Sequence, residues 1–165
     1  MLSHSGDTIV GGVRKVAFVR TELVDSIVFD EIENGFSDIR LKPNHSWNVI
    51  FPKENMTRFN QTLAEDNSGL WVMTLNLSVK YNSAGLPISE QINEDIKRGV
   101  LIVVEFNDNT KKLMGYSLKS KYRTAVSIAQ ANISNGISDV KSSMLESFSL
   151  IWKDFVPARN VNVIL

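Results

Sequence analysis

The run Leu70 to Lys80, LWVMTLNLSVK, sets Trp71, Met73, Leu75, Leu77 and Val79 apolar, with Thr74, Asn76, Ser78 and Lys80 polar between and after them. A period of two held over five repeats gathers those five side chains on one face of a β-strand, which no helix could do. The chain must therefore build a sheet with one face on a core and one toward water. At 165 residues it fits one domain, large enough to bury roughly two-thirds of its unfolded surface without a staple.

Other segments repeat the pattern. Val13 to Arg20 reads as a strand, with Ser26 to Ile32 as its partner, and Asn34-Gly35 signals a turn. Trp47, Val49 and Phe51 mark a short strand stopped at Pro52. Thr57 to Ala64 and Leu70 to Lys80 flank the turn formers Glu65 to Gly69, giving a long hairpin over 57–80 whose tip is expected to reach beyond the body. Ile88, Ile92 and Ile96 at four-residue spacing, with Ser89 as N-cap and Gly99 as stop, predict one short helix over 89–98. Val100 to Phe106 is apolar on both faces and reads as a central strand paired with Lys111 to Leu118. Tyr122 to Ala131 leans to strand or irregular structure, Asn135-Gly136 marks a turn, and Met144 to Val156 closes the fold as a last strand.

About eight strands and one helix predict a mainly β fold, an antiparallel sandwich or partly closed barrel with a flanking helix. Residues 1–12, ending in Gly11-Gly12, read as a flexible N-terminal arm, and 13–165 as a single β-rich domain. Trp47, Phe59, Trp71, Phe148 and Trp152 fall on apolar strand faces and are expected in the core.

The chemistry-bearing residues are sparse. No cysteine is present, which excludes disulfides and thiolate sites, and the two histidines, His4 and His45, stand far apart. Neither a metal nor another cofactor is expected. Glu65 and Asp66 sit in a polar turn where solvated carboxylates are the ordinary case, and no Gly-x-Ser-x-Gly elbow or phosphate-cradling loop occurs, so an enzyme is not expected. Eighteen basic residues balance eighteen acidic ones, giving no general attraction to nucleic acid or anionic membrane. The one basic cluster, Lys111, Lys112, Lys119, Lys121 and Arg123 with Tyr116 and Tyr122 interleaved, reads most simply as lysines guarding a strand edge. The N-terminus has no basic segment leading into an apolar core, and no apolar run reaches the ~20 residues of a membrane span.

The order of elements is informative in itself: a loose arm, a sheet, a long hairpin, a helix, the hairpin VLIVVEFNDNTKKLMGYSL, a turn at ISNGISD and a closing strand ending in FVPARNV. This arrangement resembles the tail-tube and head-tail connector proteins of tailed bacteriophages and prophages. The resemblance implies a virion structural protein, assembled in the bacterial host cytoplasm, that forms rings with copies of itself. Its neighbours would be other tail or neck proteins, and DNA would pass through without sequence-specific binding or membrane contact. It also implies that the arm and the hairpin 57–80 make the inter-subunit contacts, with Gly11, Gly12, Phe59, Asp66, Asn67, Gly69 and Leu70 as candidate residues. The competing expectation is a monomeric β-barrel module enclosing a small apolar ligand, lined by Trp71, Met73 and Trp152.

Overall fold

The computed structural model describes residues 12–53, 56–80, 87–122, 125–134 and 145–165. In chain order these form β1 (Val13–Arg20), a 3-10 turn (Thr21–Leu23), β2 (Val24–Asp30), β3 (Gly35–Leu41), β4 (Asn48–Ile50), β5 (Arg58–Leu63) and β6 (Trp71–Lys80). There follow α1 (Ile88–Arg98), β7 (Val100–Phe106), β8 (Lys111–Met114), β9 (Ser127–Ser134) and β10 (Leu145–Asp154). The fold is mainly β and sandwich-like, without a closed barrel. The N-terminal arm, including Gly11 and His4, and the turn at Asn135-Gly136 lie outside the described residues.

Two four-stranded antiparallel sheets face each other. One has the order β4-β1-β7-β8 and the other β5-β6-β10-β9, while β2 and β3 pair as a separate hairpin. The alternation in β6 does what it predicts. Met73, Leu75, Leu77 and Val79 are buried and meet Phe148, Leu150 and Trp152 of β10, and Val16, Phe18, Ile102 and Val104 of the facing sheet join the same core.

β7 explains the overall layering. Val100, Ile102 and Val104 point into this first core, and Leu101 and Val103 point the other way into a second one. The second core is closed by the β2-β3 hairpin and the C-terminal segment, through Phe36, Ile39, Val161 and Val163. That segment bridges both neighbours: Leu113 N donates to Arg159 O, Val161 N to Lys111 O, Phe36 N to Asn160 O, and Asn162 N to Phe36 O.

Two expectations are corrected. β2 does not pair with β1, whose two margins are taken by β4 and β7. The 3-10 turn, tied by Thr21 N to Gly99 O at 3.0 Å, leads the chain out of that sheet and onto β3. The hairpin 57–80 lies against its own sheet, as expected, with its tip beyond the last ladder pair. β6 pairs along its whole length with β10, Trp71 opposite Asp154 and Lys80 opposite Leu145, so only the loop between β5 and β6 passes the end of the sheet.

The second correction concerns the helix start. α1 begins at Ile88, and Ser89 is a buried residue of its first turn rather than the cap. The free N–H groups of Ile88 and Ser89 are instead met by one carboxylate from β10: they donate to Glu146 Oε2 and Oε1 at 2.9 and 2.6 Å. Glu146 is only 1% exposed. Its charge lies where the helix macrodipole favours an anion and where unpaired N–H groups need acceptors. Glu146→Ala should therefore cost about 2–3 kcal/mol and Glu146→Gln, which keeps an acceptor, about 1 kcal/mol. Urea unfolding midpoints of the two variants check the order; equal losses would show that packing, not capping, is the role of Glu146.

Candidate assembly surfaces

The sheet β5-β6-β10-β9 presents one face to the core and one to solvent. Register places Arg58, Asn60 and Thr62 of β5 beside Asn76, Thr74 and Val72 of β6 on the solvent face. Ser147, Ser149, Ile151 and Lys153 of β10 continue it, followed by Asn132 and Gln130 of β9. Ser149 Oγ donates to Asn76 Oδ1 at 2.5 Å, and the Ser78 and Ser147 hydroxyls meet at 3.0 Å. No carboxylate among the described residues projects from this face, which is a plane of hydroxyls and amides with lysine and arginine at its borders.

Among the described residues no further strand pairs with its margins, β5 and β9. β9, SIAQANIS, carries neither charge nor proline, the two devices that usually keep an edge from pairing with another chain. β5, RFNQTL, carries Arg58 alone. Between α1 and β9 runs a surface groove of about 380 Å³, lined among others by Ser89, Asn93, Ile128 and Gln130.

The candidate contact residues separate into two groups at opposite ends of β5. Gly12 and Phe59 come together with Val13, Arg58 and Phe106 around a recess of about 270 Å³. Phe59 packs edge-on to Phe106, ring centres 5.7 Å apart, and Asn107 N donates to Gly12 O at 2.9 Å. A Cβ at position 12 would run into the Asn107 side chain. Asp66, Asn67, Gly69 and Leu70 lie at the other end, in the β5-β6 loop. Asp66 Oδ1 accepts from Ser68 N at 3.1 Å, Ser68 Oγ accepts from Leu70 N at 3.3 Å, and Asn67 and Gly69 hold left-handed φ values of 57° and 73°. Hydrogen bonding from Ser68 holds the Asp66 carboxyl below its ordinary pKa. The loop is shaped before any partner arrives.

The remaining candidates find other duties. Met73 and Trp152 are closed in the first core at 0% and 2% exposure, while Trp71 is half-buried at its margin. His45 is an exposed loop residue. No group of three metal-ligating side chains occurs among the described residues, and no described helix is long and apolar enough to cross a membrane.

The basic cluster divides. Lys111 Nζ lies 3.4 Å from Glu105, and half-buried Lys112 donates to Ala158 O and Asn160 Oδ1 at 3.3 and 3.1 Å. Burial lowers the Lys112 pKa, against a smaller opposing effect of Asp108. Lys119 and Lys121 instead lie over aromatic rings, of Phe155 at 4.4 Å and Tyr116 at 5.7 Å. Arg123 lies outside the described residues.

No protein-family model matches the chain, and no curated protein or solved structure matches it.

One ion cluster holds the recess end together. Glu105, buried on β7, receives Arg14 Nε and Nη2 at 3.1 and 2.9 Å, with Lys15 and Lys111 at 3.9 and 3.4 Å. Burial alone would raise its pKa, but the Arg14 bonds and charge, with Lys15 and Lys111, outweigh burial and hold it below the ordinary carboxylate range. A lowered folded-state pKa stabilises fully above the unfolded value and is lost as pH falls through the folded one. Glu105→Gln should thus be less stable by about 1–2 kcal/mol at pH 7, with the gap to wild type closing below about pH 4. Urea midpoints across that range test it; a gap unchanged in acid would remove the ionic contribution.

Proposed function

We propose that the chain is a structural subunit of a tailed phage or prophage particle, assembling into rings that form part of a tail tube or head-tail connector around a DNA channel. The phage setting rests on the resemblance read from the order of elements in the sequence. The observation that carries the assembly is the pair of margins, β5 and β9, that no other described strand covers at the two ends of one sheet. Four strands alternating in direction leave these margins antiparallel to each other. Copies set side by side around a ring axis would therefore join β9 to the next β5 in the antiparallel sense already used inside each copy.

Head-to-tail joining of this kind is heterologous and closes into a ring when the rotation per copy divides a full turn. The two groups of candidate residues fit the same reading. Gly12 and Phe59 lie at one end of the strands and the loop Asp66 to Leu70 at the other, so stacked rings would bring the loop of one copy toward the recess of the next. A wall formed by the hydroxyl and amide face would offer passing DNA neither a continuous basic track nor a row of side chains arranged to read bases.

Negative-stain microscopy and light scattering across a concentration series test this directly, with rings or tubes expected. Gln130→Lys and Asn60→Lys place charges on the two margins, on exposed positions of the solvent face, and should spare folding while reducing assembly at least tenfold. A strict monomer at every concentration, or rings indifferent to both substitutions, would overturn edge pairing.

A further inference from the structure

We infer that the turn following β8 and the aromatic rings beside it form a binding site for single-stranded nucleic acid, separate from the sheet margins. Guarding a strand edge does not account for these lysines. The margin of β8 is already covered by the C-terminal segment, through the Lys112–Asn160 bridge and the bonds of Leu113 and Val161. Lys119 and Lys121 project from the turn beyond it.

Four rings run edge to face, Phe29 to Phe36 to Tyr116 to Tyr122, with centres 5.5, 5.6 and 5.0 Å apart. Cations sit over these rings and one more: Arg159 over Phe29 at 5.3 Å, Lys121 over Tyr116 at 5.7 Å, and Lys119 over Phe155, which is outside the row, at 4.4 Å. None of the three is ion-paired with a described carboxylate. Asp30 and Glu33 border the Asn160 end of the row, so the lysine end is the stronger part of the site. There Tyr122 and Phe155 remain 42% and 46% exposed.

The turn is built to hold this arrangement. Ser117 and Lys121 exchange both backbone hydrogen bonds, at 2.9 and 2.7 Å, and the buried Ser117 hydroxyl accepts from Lys119 N and Ser120 N. Lys121 is held at φ 57°, a left-handed conformation that glycine adopts freely and a lysine does not. A backbone strained to present a cation over a ring is a common mark of a functional turn.

The half-exposed rings of Tyr122 and Phe155, beside cations that have no described carboxylate partner, fit a strand whose bases stack on those rings and whose phosphates meet the cations. An acidic peptide would use the same cations but would not depend on the rings. With three cations the log affinity should fall with log salt at a slope of about −2, since each neutralised phosphate of a single strand contributes about 0.7.

The test is fluorescence anisotropy with a labelled twelve-residue oligothymidylate, with polyglutamate as competitor. The expected results are saturable binding with that salt slope and about tenfold weakening in Phe155→Ala and in Tyr122→Ala. Lys121→Gly should bind more weakly yet melt at a higher temperature, because the strain is relieved as the cation is lost. Absence of binding at 100 µM protein, polyglutamate competing as well as the oligonucleotide, or full binding by both ring variants would overturn the site. None of these readouts depends on ring formation.

Discussion

Everything in this fold is arranged around a strand that has no solvent face. β7 alternates Val100, Ile102 and Val104 to one side and Leu101 and Val103 to the other, all at 0–2% exposure. A strand apolar on both sides must be covered twice. The opposing sheet covers one side, and the β2-β3 hairpin with the C-terminal segment covers the other. The exit of the chain from β1 through the 3-10 turn follows from this demand, because β2 continuing in the plane of β1 would leave Leu101 and Val103 in water. The C-terminal segment serves the same end by bonding to β8 and β3 at once.

Polar groups inside this double-cored body are handled locally. Glu146 enters the first core only to meet the N–H groups at the start of α1, and Glu105 enters β7 only where three cations reach it. These two buried carboxylates thus stand at seams: Glu146 fixes the helix on the sheet, and Glu105 fixes the end of β7 to β1 and β8. Removing either partner of such a seam leaves a desolvated group behind, which is why these few side chains weigh more than the many surface ion pairs.

The legible parts of the sequence were those where one periodicity runs unbroken. β6, β7, β10 and α1 carry clean patterns, as does β1 past its bulge at Arg14, and their faces are as read. β3 went unseen and β9 was ambiguous for a shared reason. Both hold β-bulges. Val28 pairs with Asp38 and Phe29 with Phe36, leaving Ser37 extra, so the buried Phe36 and Ile39 sit three residues apart. In β9 the register passes from Gln130 to Ile128, leaving Ala129 extra. One added residue reverses the alternation and erases the signal of period two. Glu146 was illegible for another reason: its role depends on a helix more than fifty residues away, and Ser89 offered a plausible local cap. Of the candidate contact residues, the tip Asp66 to Leu70 was readable as a turn, but the meeting of Gly12 with Phe59 required the sheets to be stacked.

The energetics of edge pairing bear on how an assembly of such subunits would behave. β5 spans six residues, so a β9-to-β5 junction gains a handful of backbone hydrogen bonds, each worth about 0.5–1.5 kcal/mol net. Association itself costs an estimated 4–15 kcal/mol in lost translational and rotational freedom. The two are of similar size, and an isolated pair of copies would hold together poorly. Ring closure changes the balance, because the last copy gains two junctions for one association cost. A ring already in place would do the same for the next if the shaped loop at Asp66 to Leu70 reached its recess. Weak, repeated and mutually dependent contacts of this kind make a subunit that stays dispersed when dilute and assembles cooperatively once its concentration passes a threshold.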